Sequence, residues 1–204
     1  MADDTPDLAS LLGSRICHDL ASPLGALMAG LDLMEMAGQP TPEMALMRES
    51  LDGARAALDL MRLAFGQTCE GAAIEGETLR QLLAALLAAR PRLTLDWAVE
   101  GTLPRAEAQQ ITLALLCALH ALPRGGTLRI AHEGAALTLT ATGAIAADPA
   151  LWEGLSGSNP LPAADPRRIE FSLLARHLTK RGARIAIRHD PEKLRLSLSQ
   201  SKTD

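Results

Sequence analysis

Residues 42–65 repeat their apolar side chains at a heptad interval, with Met44, Met47, Leu51, Ala54, Leu58, Met61 and Phe65 spaced alternately three and four apart. That spacing keeps them on one seam of an α-helix, because ~3.6 residues complete a turn. A strand cannot use it, since its faces alternate at every residue. A second stretch, 8–36, carries the same interval through Leu20, Leu24, Leu27, Leu31 and Met34, with Ile16 and Cys17 at the stripe's edges. Between the two lies Gly38-Gln39-Pro40-Thr41-Pro42. Glycine suits the end of a helix, two prolines cannot continue it, and Thr41 before Pro42-Glu43 reads as a fresh N-terminus. Asp7, after Pro6, is placed to cap the first helix. Two long helices with matching seams and a short connection predict an antiparallel hairpin. A single hairpin buries only part of such seams, so two copies are expected to form a four-helix bundle about a two-fold axis, a homodimer. Met34, Met44, Met47 and Met61 read as filler of its core.

On the first helix, at ~100° per residue, His18 falls opposite the Leu20–Met34 stripe. Leu11, Arg15, Ser22, Gly25 and Ala29 share its side, so the imidazole is expected on an exposed strip whose neighbours are mostly small. A large protein surface can approach it there. Asp19 follows directly, and Ser22-Pro23 closes the segment one turn on. His120, His132, His177 and His189 lack comparable neighbours and read as structural or surface residues.

A chain of 204 residues with 48% hydrophobic content can bury a real core. Two Phe, two Trp and no Tyr argue against stacking platforms for single-stranded nucleic acid. Residues 1–67 hold four Arg against ten acids, and 160–204 hold ten basic residues against five acids. The basic tail reads as a solvated face rather than a nucleic-acid surface, because acids are interspersed along it. Cys17, Cys69 and Cys117 are odd in number and widely spaced, which speaks against a disulfide framework or zinc site and suits a reducing cytoplasm. Residues 1–7 are acidic and polar, unlike a signal peptide. No uninterrupted apolar run approaches the ~20 residues of a membrane span, so no membrane segment is expected.

Gly66 to Gly76 is glycine-rich and marks a linker, giving expected units of 1–68 and 76–204. In the second, 77–89 reads as a helix ending at Arg90-Pro91, and 93–99 as a strand with Leu93, Leu95, Trp97 and Val99 on one face. A helix is expected from Pro104 to about 122, stopping at Pro123-Arg124-Gly125-Gly126. Leu128 and Ile130, then Leu137 and Leu139, alternate on two strands joined near Glu133-Gly134. An irregular stretch runs through Pro162, a helix occupies 166–181, and Ile185 to Leu198 makes a hairpin turning at Asp190-Pro191. The order α-β-α-β-β-α-β-β, with each strand apolar on one face, predicts an α+β fold: a two-layer sandwich of an antiparallel-rich sheet under three helices.

A helical hairpin followed by this sandwich is similar to the layout of a histidine-kinase core, a phosphoacceptor hairpin and then a Bergerat-type (GHKL) ATP-binding domain. Arg15-Ile-Cys-His-Asp-Leu-Ala-Ser-Pro resembles the kinase phosphoacceptor box. Ser14 to Met34, Arg62-Leu-Ala-Phe-Gly66, Thr94-Leu-Asp-Trp97 and Ala121-Leu-Pro-Arg-Gly-Gly126 resemble the ChpT-type histidine phosphotransferases of bacterial cell-cycle phosphorelays. The resemblance spans the chain and is most specific around His18.

Kinases of this fold use an Asn-bearing helix for phosphate and metal, an Asp-x-Gly-x-Gly segment at the adenine and a glycine-rich lid. The single asparagine here, Asn159, lies outside the corresponding helix 104–122, and the second segment reads Ala-Thr-Gly-Ala-Ile-Ala-Ala-Asp over 141–148. The expectation is a degenerate nucleotide domain that neither binds nor hydrolyses ATP. His18 must then be charged by another protein. Its neutral imidazole would attack an aspartyl phosphate and pass the phosphoryl group to a second aspartate, a reaction governed by positioning and charge stabilisation. In the resembling families the residue after the histidine holds the other ring nitrogen, a role that falls to Asp19. Ser22 would hydrogen-bond the phosphoryl group or a water, and Arg15 would offset phosphate charge. Leu11, Arg15, Pro23, Gly25 and Ala29 would dock the receiver. Magnesium is expected from the receiver, since no acidic cluster is visible in this sequence. By resemblance, the donor is the receiver of a CckA-like hybrid histidine kinase and the acceptors are CtrA-like and CpdR-like response regulators. The other readings of the same residues are a receiver-directed phosphatase or phosphate sink, and a non-catalytic dimeric adaptor. A metal-dependent hydrolase lacks its ligand motif.

Overall fold

The computed structural model describes residues 8–66 and 71–200; the expected cap at Asp7, Cys69 and the middle of the 66–76 linker lie outside them. Helix α1 (Leu8–Ala37) and helix α2 (Pro42–Phe65) form the expected hairpin. Thr41 starts α2 as its sequence demands, its Oγ accepting from the Met44 amide at 3.3 Å. The antiparallel register is fixed by three contacts. A Cβ placed on Gly13 would lie 3.4 Å from that of Phe65, Arg55 reaches the Met28 sulfur at 3.7 Å, and Arg48 Nη2 donates to Asp32 at 2.5 Å and to Glu35 at 2.8 Å.

The predicted seams divide between two faces. Of the α1 stripe, Leu31 is buried and Leu24 half-buried, and Cys17, expected at the edge, is buried against α2; Leu20, Leu27 and Met34 are exposed. In α2, Met44 and Leu58 are buried and Leu51 half-buried, but Met47, Ala54 and Met61 are exposed. Met34, Met47 and Met61 are therefore not core filler within one chain. The heptad pattern records the full apolar arc of a helix, which is wider than one neighbour can cover. Residues 11–37 of α1 reach a mean hydropathy of 1.2 with 6% of the stretch buried, so by length and composition this helix is apolar enough to cross a membrane, contrary to the sequence expectation.

The second unit contains β1 (Ala73–Glu75), α3 (Gly76–Ala88), β2 (Leu93–Ala98), β3 (Thr102–Pro104), α4 (Arg105–Ala121), β4 (Gly126–Glu133), β5 (Ala136–Thr142), α5 (Pro149–Ser156), α6 (Ile169–Lys180), β6 (Ala183–His189) and β7 (Lys193–Gln200). Its five-stranded sheet has the order β2-β4-β5-β7-β6, parallel between β2 and β4 and antiparallel elsewhere. Leu128, Ile130, Leu139, Leu194 and Leu196 meet Leu79, Leu83, Leu113, Leu115, Phe171 and Leu174 in one core, which makes the chain α+β with a mixed sheet.

Two features went unread. β1 and β3 pair as a short antiparallel ribbon, and three residues each are too few to reveal alternation. Helix α5 fills the stretch expected to be irregular. Its signals were present: Asp148 caps it, Pro149 opens it, and Gly157 closes it at φ 80°. It buries Leu151, Trp152 and Leu155.

The hairpin is not a separate body. Leu60, Leu63 and Ala64 of α2 belong to the same buried cluster as Leu79, Leu83 and Ile111. Gln109 of α4, 5% exposed, donates its amide to the carbonyls of Ala64 at 2.9 Å and Gly66 at 3.1 Å.

Candidate functional site

His18 stands on α1, five residues from the Gly13–Phe65 contact, or ~7 Å along the axis at ~1.5 Å per residue. It therefore lies near the end of the hairpin that joins the α/β unit. Its side chain is 82% exposed. The residues of α1 that face α2 and those of the exposed apolar stripe both point away from it, so the imidazole has open space around it.

Asp19, one residue on, turns back to the ring, with Oδ1 3.3 Å from His18 Nδ1. Neighbouring side chains normally diverge on a helix, and Arg15 explains the exception: one turn earlier, its Nε donates to Asp19 Oδ2 at 2.9 Å and steadies the carboxylate. A carboxylate only accepts, so this contact favours the neutral tautomer with hydrogen on Nδ1 and the lone pair on Nε2. Arg15 thus acts first on Asp19, although its side chain remains 73% exposed beside the ring.

Ser22, Gly25 and Ala29 continue the His18 face upward and Leu11 extends it downward, all exposed. At Gly25 an added Cβ would meet nothing within 4 Å, so packing inside the chain does not require glycine there. Pro23 falls about 140° round the helix from His18, toward the exposed apolar stripe. It lies within α1 without ending it.

Two clefts among the described residues lie elsewhere. One of about 490 Å³ is lined by Arg90, Arg92, Leu116, His120 and Glu170, and one of about 630 Å³ runs between α3 and the edge strand β2. Neither includes His18 or its neighbours, so the site is an open surface suited to a macromolecular partner. Among the described residues no group of three His, Cys, Asp or Glu is arranged to hold a metal.

Helices α4 and α6 run antiparallel in contact: the His177 ring donates to the Ala106 carbonyl at one end, and His120 pairs with Glu170 at the other. Phe171 packs edge-on to Trp152 with centroids 5.0 Å apart and tilts against His120 at 6.0 Å. Cys117, on α4, is fully buried there, and burial together with the Glu170 charge pushes its thiol well up.

The family model for the histidine phosphotransferase C-terminal domain matches residues 76–193, more than half of the chain. Over 130 residues the chain is 37% identical to the protein phosphotransferase ChpT of Brucella abortus (strain 2308), a match covering 63% of this chain and 62% of that relative's length. A solved structure of a bacterial phosphotransferase superposes with a TM-score of 0.68 at 28% identity, covering 98% of both chains. The chain belongs to the ChpT-type histidine phosphotransferases.

Proposed function

We propose that the protein relays phosphoryl groups between receiver-domain aspartates through His18, as an ATP-independent homodimer. The observation that carries this is the pairing of an open Nε2 with an Nδ1 held by Asp19 on the exposed face of α1. The Nε2 lone pair attacks the phosphorus of an aspartyl phosphate, a P–N bond forms, and the P–O bond to the donor breaks to leave a free carboxylate. Nδ1 keeps its hydrogen, so the ring gains positive charge, and Asp19 stabilises that charge at close range. A second receiver's carboxylate then attacks the phosphorus and the imidazole leaves neutral. No proton has to move.

Ser22 is placed one turn on to hydrogen-bond the transferring group, and Arg15 couples Asp19 to the phosphate's charge. Receivers would dock over Leu11, Arg15, Ser22, Gly25 and Ala29, with magnesium supplied by their own acidic pocket. The family likeness favours the receiver of a CckA-like hybrid kinase as donor and CtrA-like and CpdR-like regulators as acceptors, in the cytoplasm. We assign the α/β unit as a degenerate Bergerat domain, in keeping with the α4–α6 contact and the missing phosphate ligands. Calorimetry with ATP and magnesium should give no saturable heat.

The exposed stripes of α1 and α2 are assigned to a second copy, which completes a four-helix bundle. A bilayer is the less suitable cover. The same helix turns His18, Arg15 and Asp19 outward on its other side, and α2 interrupts its own apolar face with Arg55 and Asp59.

The deciding experiment mixes a phosphorylated donor receiver with the wild type and with His18→Ala. Label is expected on the wild type alone and then on the acceptor. Equal labelling of both proteins would end the proposal, and free phosphate in place of labelled acceptor would make the protein a phosphate sink.

A further inference from the structure

Gln109 does something the transfer chemistry does not explain. A helix leaves its last carbonyls without intrahelical donors, and at the end of α2 one of them, Arg62, is met by the Gly66 amide at 3.1 Å. The Ala64 and Gly66 carbonyls accept from Gln109, 45 and 43 residues away on α4. Gly66 is equally constrained, because a Cβ there would lie 2.3 Å from the Arg62 oxygen. Beneath this polar clamp, Leu60, Leu63 and Ala64 share the α/β core.

The junction of hairpin and α/β unit is therefore both packed and hydrogen-bonded. A histidine kinase cannot afford this, since its nucleotide domain must carry phosphate to the histidine and then withdraw to admit a receiver. A chain charged by a visiting receiver needs no such swing. His18 lies ~7 Å from the junction, whereas a partner of ordinary interface size covers about 800 Å² and is wider than that. A receiver seated on His18 is wide enough to reach the α/β unit.

We propose that Gln109 is a positioning residue that locks the hairpin to the α/β unit, so that a receiver meets His18 and the neighbouring unit as one preformed surface. This rests on the receiver-transfer reading above. Pre-organisation of this kind lowers the cost of binding rather than the barrier of the chemical step. Loss of the lock should raise KM for the receiver and leave kcat nearly unchanged.

The test uses the full chain with Gln109→Leu, which keeps bulk but cannot donate, and Gln109→Met as a second variant of similar volume. Spin labels at Asp52→Cys and Arg188→Cys, in a Cys69→Ser background, report the distance between hairpin and sheet. The wild type should give one narrow distribution and the variants a broad one. A phosphorylated receiver that labels wild-type His18 should show KM raised about tenfold, with kcat within about twofold. Leu139→Ala, fully buried on β5 away from the junction, serves as the control: it loosens the core without touching the junction, and should lower stability while leaving KM in place. A narrow distribution together with an unchanged KM in the Gln109 variants would overturn the proposal. An altered kcat at constant KM would overturn it as well. If no receiver labels the wild type, the transfer reading fails, and the distance distributions still decide whether Gln109 holds the junction.

Discussion

Replacing Leu27 by aspartate tests the dimer directly. Leu27 is 58% exposed in one protomer and lies on the side of α1 opposite His18. Burying a whole leucine side chain contributes ~1.5–3 kcal/mol, so the exposed part is worth ~1 kcal/mol when a second copy covers it. Aspartate forgoes that and leaves an unpaired charge at a dry contact, which costs ~2 kcal/mol or more. The sum is ~3 kcal/mol per protomer. Two-fold symmetry repeats it, giving ~6 kcal/mol per dimer, and at ~1.4 kcal/mol per tenfold the dissociation constant should rise by roughly four orders of magnitude. Sedimentation across the micromolar range should therefore show a dimeric wild type and a monomeric Leu27→Asp. Far-ultraviolet circular dichroism should be unchanged, because Leu27 supports no fold within one protomer. Equal dissociation constants for the two proteins would refute the reasoning. A monomeric wild type that partitions into lipid vesicles would give the stripe to the bilayer instead.

Three other perturbations separate docking, chemistry and stability. Gly25→Glu should stabilise α1 by ~0.5–1 kcal/mol through helix propensity, since nothing obstructs a side chain there, and still slow phosphotransfer by crowding the receiver. Gly53→Ala, equally open on α2, should stabilise without slowing, and thermal melts beside quenched-flow labelling would reveal any parallel behaviour of the two. Asp19→Ala should lower the labelling rate of His18 by ~10–100-fold with receiver affinity retained, read as kcat against KM; an unchanged kcat would remove Asp19 from the chemistry. Burial, aided by the Arg181 charge, lowers the His177 pKa from 6.5 to about 4. The folded state therefore resists a proton that the unfolded chain accepts, so stability is complete above about pH 6.5 and falls toward pH 4. Allowing for the partial exposure of the ring, the loss across that window is ~2 kcal/mol. His177→Gln should flatten it in urea melts at neutral and acid pH, and an identical slope in both proteins would assign the acid sensitivity elsewhere.

The long helices and the strands were legible because their patterns extend over many residues. The bounds of α2 follow from Thr41-Pro42 at one end and the Gly66 region at the other, and both are local chemistry. The ribbon of β1 and β3 was not legible, because a three-residue strand is defined by its partner rather than by its own alternation. Helix α5 could have been found from Asp148-Pro149 and Gly157, signals independent of hydrophobic period. The division of Leu20, Leu27 and Met34 from Leu24 and Leu31 could not. Helical period assigns residues to an arc, and only the angle between packed helices decides which part of that arc meets which neighbour.

The sequence names the residues of the candidate site but not their couplings. His18 and Asp19 are adjacent, and the sequence could not tell that Asp19 would turn toward the ring, because this depends on a rotamer that Arg15 selects from one turn below. Gln109 carried even less signal. One of two adjacent glutamines, Gln109 reads as helix surface, and its role becomes visible only when α2 ends against it and presents the Ala64 and Gly66 carbonyls. Both cases have one physical origin. A motif records which groups are available, whereas positioning comes from groups that the motif does not contain and the fold brings from elsewhere. In a reaction that is mainly positioning and charge, those groups should have the larger influence on partner selectivity. Gln109 is thus expected to separate good receivers from poor ones more sharply than Ser22, whose proposed partner is the phosphoryl group that all receivers share.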